Sequence, residues 1–194
     1  TAYVTIEGDA NNSNDTIIST FNVVSPNQNY NQDQVYSYIK NNGGTLQKCI
    51  VGLDKTTGAI DSLKYTNADV WGGDFFGQYL YAVRPHGTVN LVAANGKNYR
   101  VSMKMNMTNV YGITYDQAND LKYLAQYDGS NTNLFSLDEN WNTSLIGTIV
   151  SGKLLGGIAA DMDGNLFGLH GNDNLYSIDP VTGAGTVVGP LGID

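Results

Sequence analysis

The stretch that decides the fold is Asn174-Leu175-Tyr176-Ser177-Ile178-Asp179-Pro180-Val181-Thr182-Gly183. A short run of strand-forming residues leads into an Asp-opened, Gly-closed turn. The same hairpin stands at Asn133-Leu134-Phe135-Ser136-Leu137-Asp138, and Val51-Gly52-Leu53-Asp54 matches the end of both. Asp54-Lys55-Thr56-Thr57-Gly58 repeats the D-x-x-T-G turn. Asn90-Leu91-Val92-Ala93-Ala94-Asn95-Gly96 reads as a degraded copy. The turn-opening residues Asp54, Asn95, Asp138 and Asp179 are 41, 43 and 41 residues apart.

Other anchors keep the phase. Gly112-Ile113-Thr114-Tyr115-Asp116 and Gly157-Ile158-Ala159-Ala160-Asp161 are 45 apart. The strands Val35–Ile39, Tyr79–Val83, Leu121–Ala125 and Leu166–His170 follow a similar period. No stretch holds a 3.6-residue apolar period, so no long helix is expected. Asp33–Lys40 has room for one helical turn, but its Val-Tyr-Ser-Tyr-Ile core favours strand. Each unit reads as four short strands joined by tight turns, and four strands in about 40–45 residues is the period of a propeller blade. The expected fold is all-β, with about four four-stranded propeller-type blades. Residues 1–34 form irregular first strands and loops, and 35–70, 71–109, 110–152 and 153–194 form the repeats of a single domain. Tyr3–Glu7 and Ile17–Val24 read as strands around a polar Gly8–Asp15 loop; they suit a half-blade or a strand that completes the last blade.

The N-L-Y-x-I-D-P-x-T-G hairpin at 174–183, preceded by Gly157–Gly168, resembles the blades of secreted bacterial β-propeller repeat proteins. The opening Tyr3–Gly8 and Thr20–Pro26 is similar to the start of surface propellers from gut and oral anaerobes. The resemblance covers roughly residues 35–194 and implies a blade rather than an activity, because such repeats occur in adhesins, scaffolds, sugar binders and a few enzymes. Propellers commonly have six to eight blades, and this chain holds about four. It suits a fragment, a half-ring closed by a second copy, or a small four-bladed ring, with the first two favoured. A partial ring exposes blade edges, so self-association is expected.

Composition narrows the function. The chain has 194 residues, 10 Lys+Arg against 18 Asp+Glu, and net charge −8. That is a poor partner for nucleic acid. No apolar run is long enough for a membrane helix, so no membrane insertion is expected. Cys49 is the single cysteine and excludes an internal disulfide; its apolar setting marks a buried small hydrophobe. A start at Thr1, low charge, and abundant Asn, Gly, Thr and Tyr fit a processed, exported chain: extracellular, cell-surface or periplasmic.

Few constellations suggest chemistry. His86 and His170 are the only histidines. Regular stacking puts both at the turn between second and third strands, on one rim. They suit an acid–base or metal pair, or two plain turn residues; no third zinc ligand accompanies them. Asp161-Met162-Asp163-Gly164-Asn165 begins like a calcium loop. Its Gly falls at the wrong place for an EF-hand, and a tight Asp-Gly turn explains it equally. Asp161 and Asp163 are weak calcium candidates, and no other cofactor is indicated. Nucleophile elbows and phosphate loops are absent. Glu7 and Glu139 are the only glutamates, so paired carboxylates would be mostly Asp.

Aromatics are the most suggestive feature. Trp71, Tyr111, Tyr115, Tyr127 and Trp141 fall at strand ends or in turns. A flat ring beside Asn and Asp is what sugar binding needs; packing between blades is the alternative. The expected role is a non-enzymatic interaction domain that presents blade-edge loops to a glycan or protein partner. A propeller-type hydrolase or lyase acting on a polysaccharide, and a structural segment without a site, are the alternatives.

Overall fold

A computed structural model describes residues 34–41, 47–65, 70–76, 79–84, 86–92, 98–100, 107–170 and 174–192. Those residues form β-strands and turns, with no helix among them. The proposed strands at 3–7 and 17–24, the loop at 8–15 and the turn opener Asn95 lie outside the described residues.

Among the described residues fifteen strands make four antiparallel sheets. The first holds β1 (Gln34–Asn41), β2 (Gln47–Asp54) and β3 (Ile60–Tyr65). The second holds β4 (Gly72–Phe76), β5 (Tyr79–Val83), β6 (Val89–Val92) and β7 (Asn98–Arg100). The third holds β8 (Val110–Asp116), β9 (Leu121–Tyr127), β10 (Asn131–Leu137) and β11 (Thr143–Ser151). The fourth holds β12 (Gly157–Ala160), β13 (Leu166–His170), β14 (Asn174–Ile178) and β15 (Gly185–Pro190). Strands follow each other in order within every sheet. Each sheet is a propeller-type blade, and the blades form an arc whose ring is not closed.

The hairpins form for local reasons. Asp54 and Asp179 accept the N–H of Gly58 and Gly183 on their carbonyls, at 2.9 and 2.8 Å. Each carboxylate then receives N–H groups from its own turn, Thr57 to Asp54 at 2.7 Å and Val181 to Asp179 at 2.8 Å. The closing glycines sit at φ +69° and +76°, where a Cβ would be strained. The segment at 34–41 is strand throughout, as its β-branched and aromatic residues favour.

The core lies between blades. One cluster joins Ile50 of the first blade to Val70 and Ala82 of the second. Another joins Val83 and Val89 to Ile113, Leu124 and Leu137. A third joins Tyr123, Ala125 and Leu134 to Leu166, Tyr176 and Ile178. Alternation explains it: each strand sends odd and even residues to opposite neighbours, so every blade is buried only by stacking. The linker into the fourth blade is tied down by Thr132, whose hydroxyl donates to the Lys153 carbonyl and accepts from the Leu155 N–H.

Register corrects one reading. Gly112 pairs with Ala125, which pairs with Leu134; Gly157 pairs with Leu169, which pairs with Leu175. In the second blade the same row runs Gly72, Val83, Val89. Val89, not Leu91, therefore occupies the place of Leu134. The sequence match at Asn90-Leu91 is two residues out, because burial between blades sets register and local similarity does not.

Candidate functional site

The inner strands border an opening. A cavity of 720 Å³ lies between β1 and β4, with Gly156 and Leu169 of the fourth blade across from them. Pairing of Tyr36 with Gly52 and of Tyr38 with Ile50 turns both tyrosines toward the second blade. Tyr36 meets Phe75 with ring centroids 5.7 Å apart. Trp71 enters from the residue before β4, where its N–H donates to the Val83 carbonyl at 2.9 Å. Its indole lies against Tyr111, centroids 4.6 Å apart and planes tilted by 36°. Gly72 makes that approach feasible: a Cβ there would stand 2.6 Å from the Tyr111 carbonyl oxygen.

Asp74 also lines the cavity, but its carboxylate is engaged. Oδ2 accepts from the Thr114 hydroxyl at 2.6 Å and the Tyr115 N–H at 2.9 Å; Oδ1 accepts from the Phe75 N–H at 2.7 Å. What remains toward the cavity is mostly ring and aliphatic surface, with Ser37 and glycine backbone beside it.

The other aromatics lie elsewhere. Trp141, in the turn after β10, stacks on Phe76 of the second blade at 6.1 Å and lies tilted against Tyr81 at 5.3 Å. Its backbone is held at φ +65°, a conformation bulky residues rarely adopt. Tyr115 packs on Phe76 at 5.2 Å and donates its hydroxyl to Asp120; that bond pushes the phenol pKa up. Tyr127 donates its hydroxyl to the Gly129 carbonyl in its own turn. Trp71 and Tyr111 are thus brought together, and Tyr115 and Trp141 join a separate cluster between blades. Tyr36, Tyr38 and Phe75, which bound the cavity beside Trp71, were not singled out in the sequence. Mid-strand aromatics there look like core.

His86 is exposed in the turn between β5 and β6, and His170 ends β13. The Asp161 carboxylate accepts from the Asp163 N–H, the Asn165 N–H and the Asn165 amide within 2.9 Å. Asp138 does the same with Asn140 and Asn142, and Asp128 with Ser130, Asn131 and Asn133. The donors hold these carboxyls below their usual range: the Asn165 amide first for Asp161, the Asn142 amide for Asp138, the Asn131 N–H for Asp128. Among the described residues no three His, Cys, Asp or Glu side chains gather as a metal set. No helix among them is long and apolar enough to cross a membrane.

No family model and no curated protein matches the chain. Solved structures do. An auxiliary nutrient binding protein from Bacteroides ovatus superposes with a TM-score of 0.52 at 18% identity, over 80% of this chain and 39% of that one. A streptogramin B lyase gives 0.47 at 15% identity, over 75% and 48%. The extracellular domain of a putative hybrid two-component system from B. thetaiotaomicron gives 0.45 at 13%, over 75% and 19%. The chain spans less than half the length of each of these proteins. At 18% identity the first likeness speaks for the fold.

Proposed function

We propose that this chain is a non-enzymatic binding domain, exported from the cell, that takes a carbohydrate ring in the inner-strand cavity against Trp71. The carrying observation is the 720 Å³ cavity walled by Tyr36, Tyr38, Trp71 and Phe75. Its volume suits a small ligand, and its walls suit the apolar face of a sugar, with Ser37 and glycine backbone for hydroxyls. The second face of Trp71 rests on Tyr111, which fixes the indole before a ligand arrives. The acids favour binding over turnover: Asp128, Asp138, Asp161 and Asp179 are ionised turn braces, unsuited to protonating a leaving group. The nutrient-binding description of the B. ovatus protein is a role of the same kind.

The test is calorimetric titration with a panel of soluble oligosaccharides. Saturable binding is expected, weakened roughly tenfold or more by Trp71→Ala with the circular dichroism unchanged. Binding that ignores Trp71→Ala, or an empty panel, overturns the reading.

A further inference from the structure

A half-buried arginine stands beside the cavity with its Nε unmatched. Register fixes its place: Gly72 pairs with Val83, Gly112 with Ala125 and Gly157 with Leu169. Arg84, Gln126 and His170 each follow the second member of these pairs, so they hold one position at the end of the second strand. In the third blade that position is used within the chain. The Gln126 amide donates to the Thr108 carbonyl at 3.1 Å and ties down the segment leading into β8. Arg84 makes no such tie: its Nε is buried and meets no acceptor among the described residues. A charged N–H taken from water without a partner is unfavourable, which makes this position a place for an acceptor.

Alternation turns the side chain toward the cavity. The ladder of β5 and β6 runs on past Val83, because the Arg84 N–H donates to the Thr88 carbonyl at 3.0 Å. Val83 packs toward the third blade with Ile113, and Ala82 toward the first with Ile50. Arg84 therefore shares the face of Ala82. Leu80 and Ala82 on that face line the cavity, and so do Val70 and Trp71 on the neighbouring segment. The carbonyl that holds the Trp71 N–H belongs to Val83, the residue just before Arg84. Arg84 is thus the next residue past Ala82, at the edge of the cavity on the Trp71 side. Asp74, the acid that lines the cavity, is engaged with Thr114, Tyr115 and Phe75.

We infer that Arg84 takes the carboxylate of an acidic sugar, a uronate, whose ring lies in the cavity against Trp71. The inference rests on the carbohydrate reading above and names the class of sugar. A uronate joins an apolar ring face, which suits an indole, to a planar carboxylate, which suits the guanidinium fork. The chain carries −8 overall, so its long-range field does not draw an anion in. The pair with Arg84 supplies the attraction at short range. A neutral sugar leaves the Nε unmatched, and that mismatch is the basis of discrimination.

Calorimetric titration with oligosaccharides of galacturonate and of mannuronate, each beside its methyl ester, tests this. The ester keeps ring and linkage and removes the charge. The free acid of one of these sugars is expected to bind roughly tenfold or more tighter than its ester at low salt, with the margin narrowing at about 0.5 M salt. Arg84→Gln should erase that margin and leave both the ester affinity and the melting temperature of the parent chain. Arg84→Lys, which keeps the charge without the fork, should restore part of it. Equal affinity for acid and ester, both lost in Trp71→Ala, overturns the inference and leaves the carbohydrate reading standing. So does binding of neutral oligosaccharides alone. A margin that survives Arg84→Gln overturns the inference too, since the carboxylate is then held elsewhere. If no sugar of either kind binds, the carbohydrate reading and this inference fall together.

Discussion

The Thr114 hydroxyl donates to Asp74 Oδ2 at 2.6 Å and accepts from the Ala160 N–H at 2.9 Å. One buried side chain thereby joins the inner strands of three blades. Asp74 sits one blade earlier at the matching place and accepts the Tyr115 N–H in the same way. The inner strands of the second, third and fourth blades are thus latched in series, Asp74 holding the backbone of the third and Thr114 that of the fourth.

Thr114→Val keeps the shape and removes the latch. It leaves the Ala160 N–H without its acceptor and takes a donor from Asp74. Such a loss in a buried setting costs about 1–3 kcal/mol. Urea denaturation should show it, with Thr114→Ser closer to the parent chain.

Gly112→Ala should destabilise although it adds a single methyl. The new Cβ would stand 2.8 Å from the Ile158 nitrogen and 3.0 Å from its Cγ1. Overpacking of this kind costs about 1–3 kcal/mol, and the shift in the denaturation midpoint measures it.

The two tryptophans should separate binding from folding. Trp141 rests on Phe76 and Tyr81, so Trp141→Ala should cost about 2–4 kcal/mol of stability. It should leave the affinity of the folded chain intact. Trp71→Ala should do the reverse, with thermal melts and titrations run side by side.

Stability should fall in acid. Asp54, Asp128, Asp138, Asp161 and Asp179 are all held below the usual carboxylate range by turn donors. The unfolded chain takes up protons first, so their contribution is complete above about pH 4 and is lost as pH drops through the lower folded values. Melting temperature should be flat from neutral pH to about 5 and decline below 4, less steeply in Asp138→Asn and Asp161→Asn chains.

Cys49 should be silent in the native chain. It is fully buried and burial pushes its thiol pKa up. A thiol reagent at neutral pH should react only after denaturant is added.

The turns were legible in the sequence because their chemistry is local. An Asp carboxylate reaches N–H groups two to four residues on, so Asp54, Asp138, Asp161 and Asp179 announce their hairpins without help from the rest of the chain. The strands and their period follow from those turns. The candidate site was legible only in part: Trp71 was named, whereas Tyr36, Tyr38 and Phe75 read as ordinary strand aromatics.

What the tertiary structure alone decided is which side chains meet. Asp74 and Thr114 are 40 residues apart, and so are Trp71 and Tyr111. No neighbour in sequence records such pairings. They also moved the third strand of the second blade by two residues against its apparent repeat, because Val89 had to face Ile113 and Leu124 beside Val83. By itself the sequence determined four hairpin-built units of one kind. Stacking decided which rings fill the core and which border a cavity, since each blade is buried only by its neighbour.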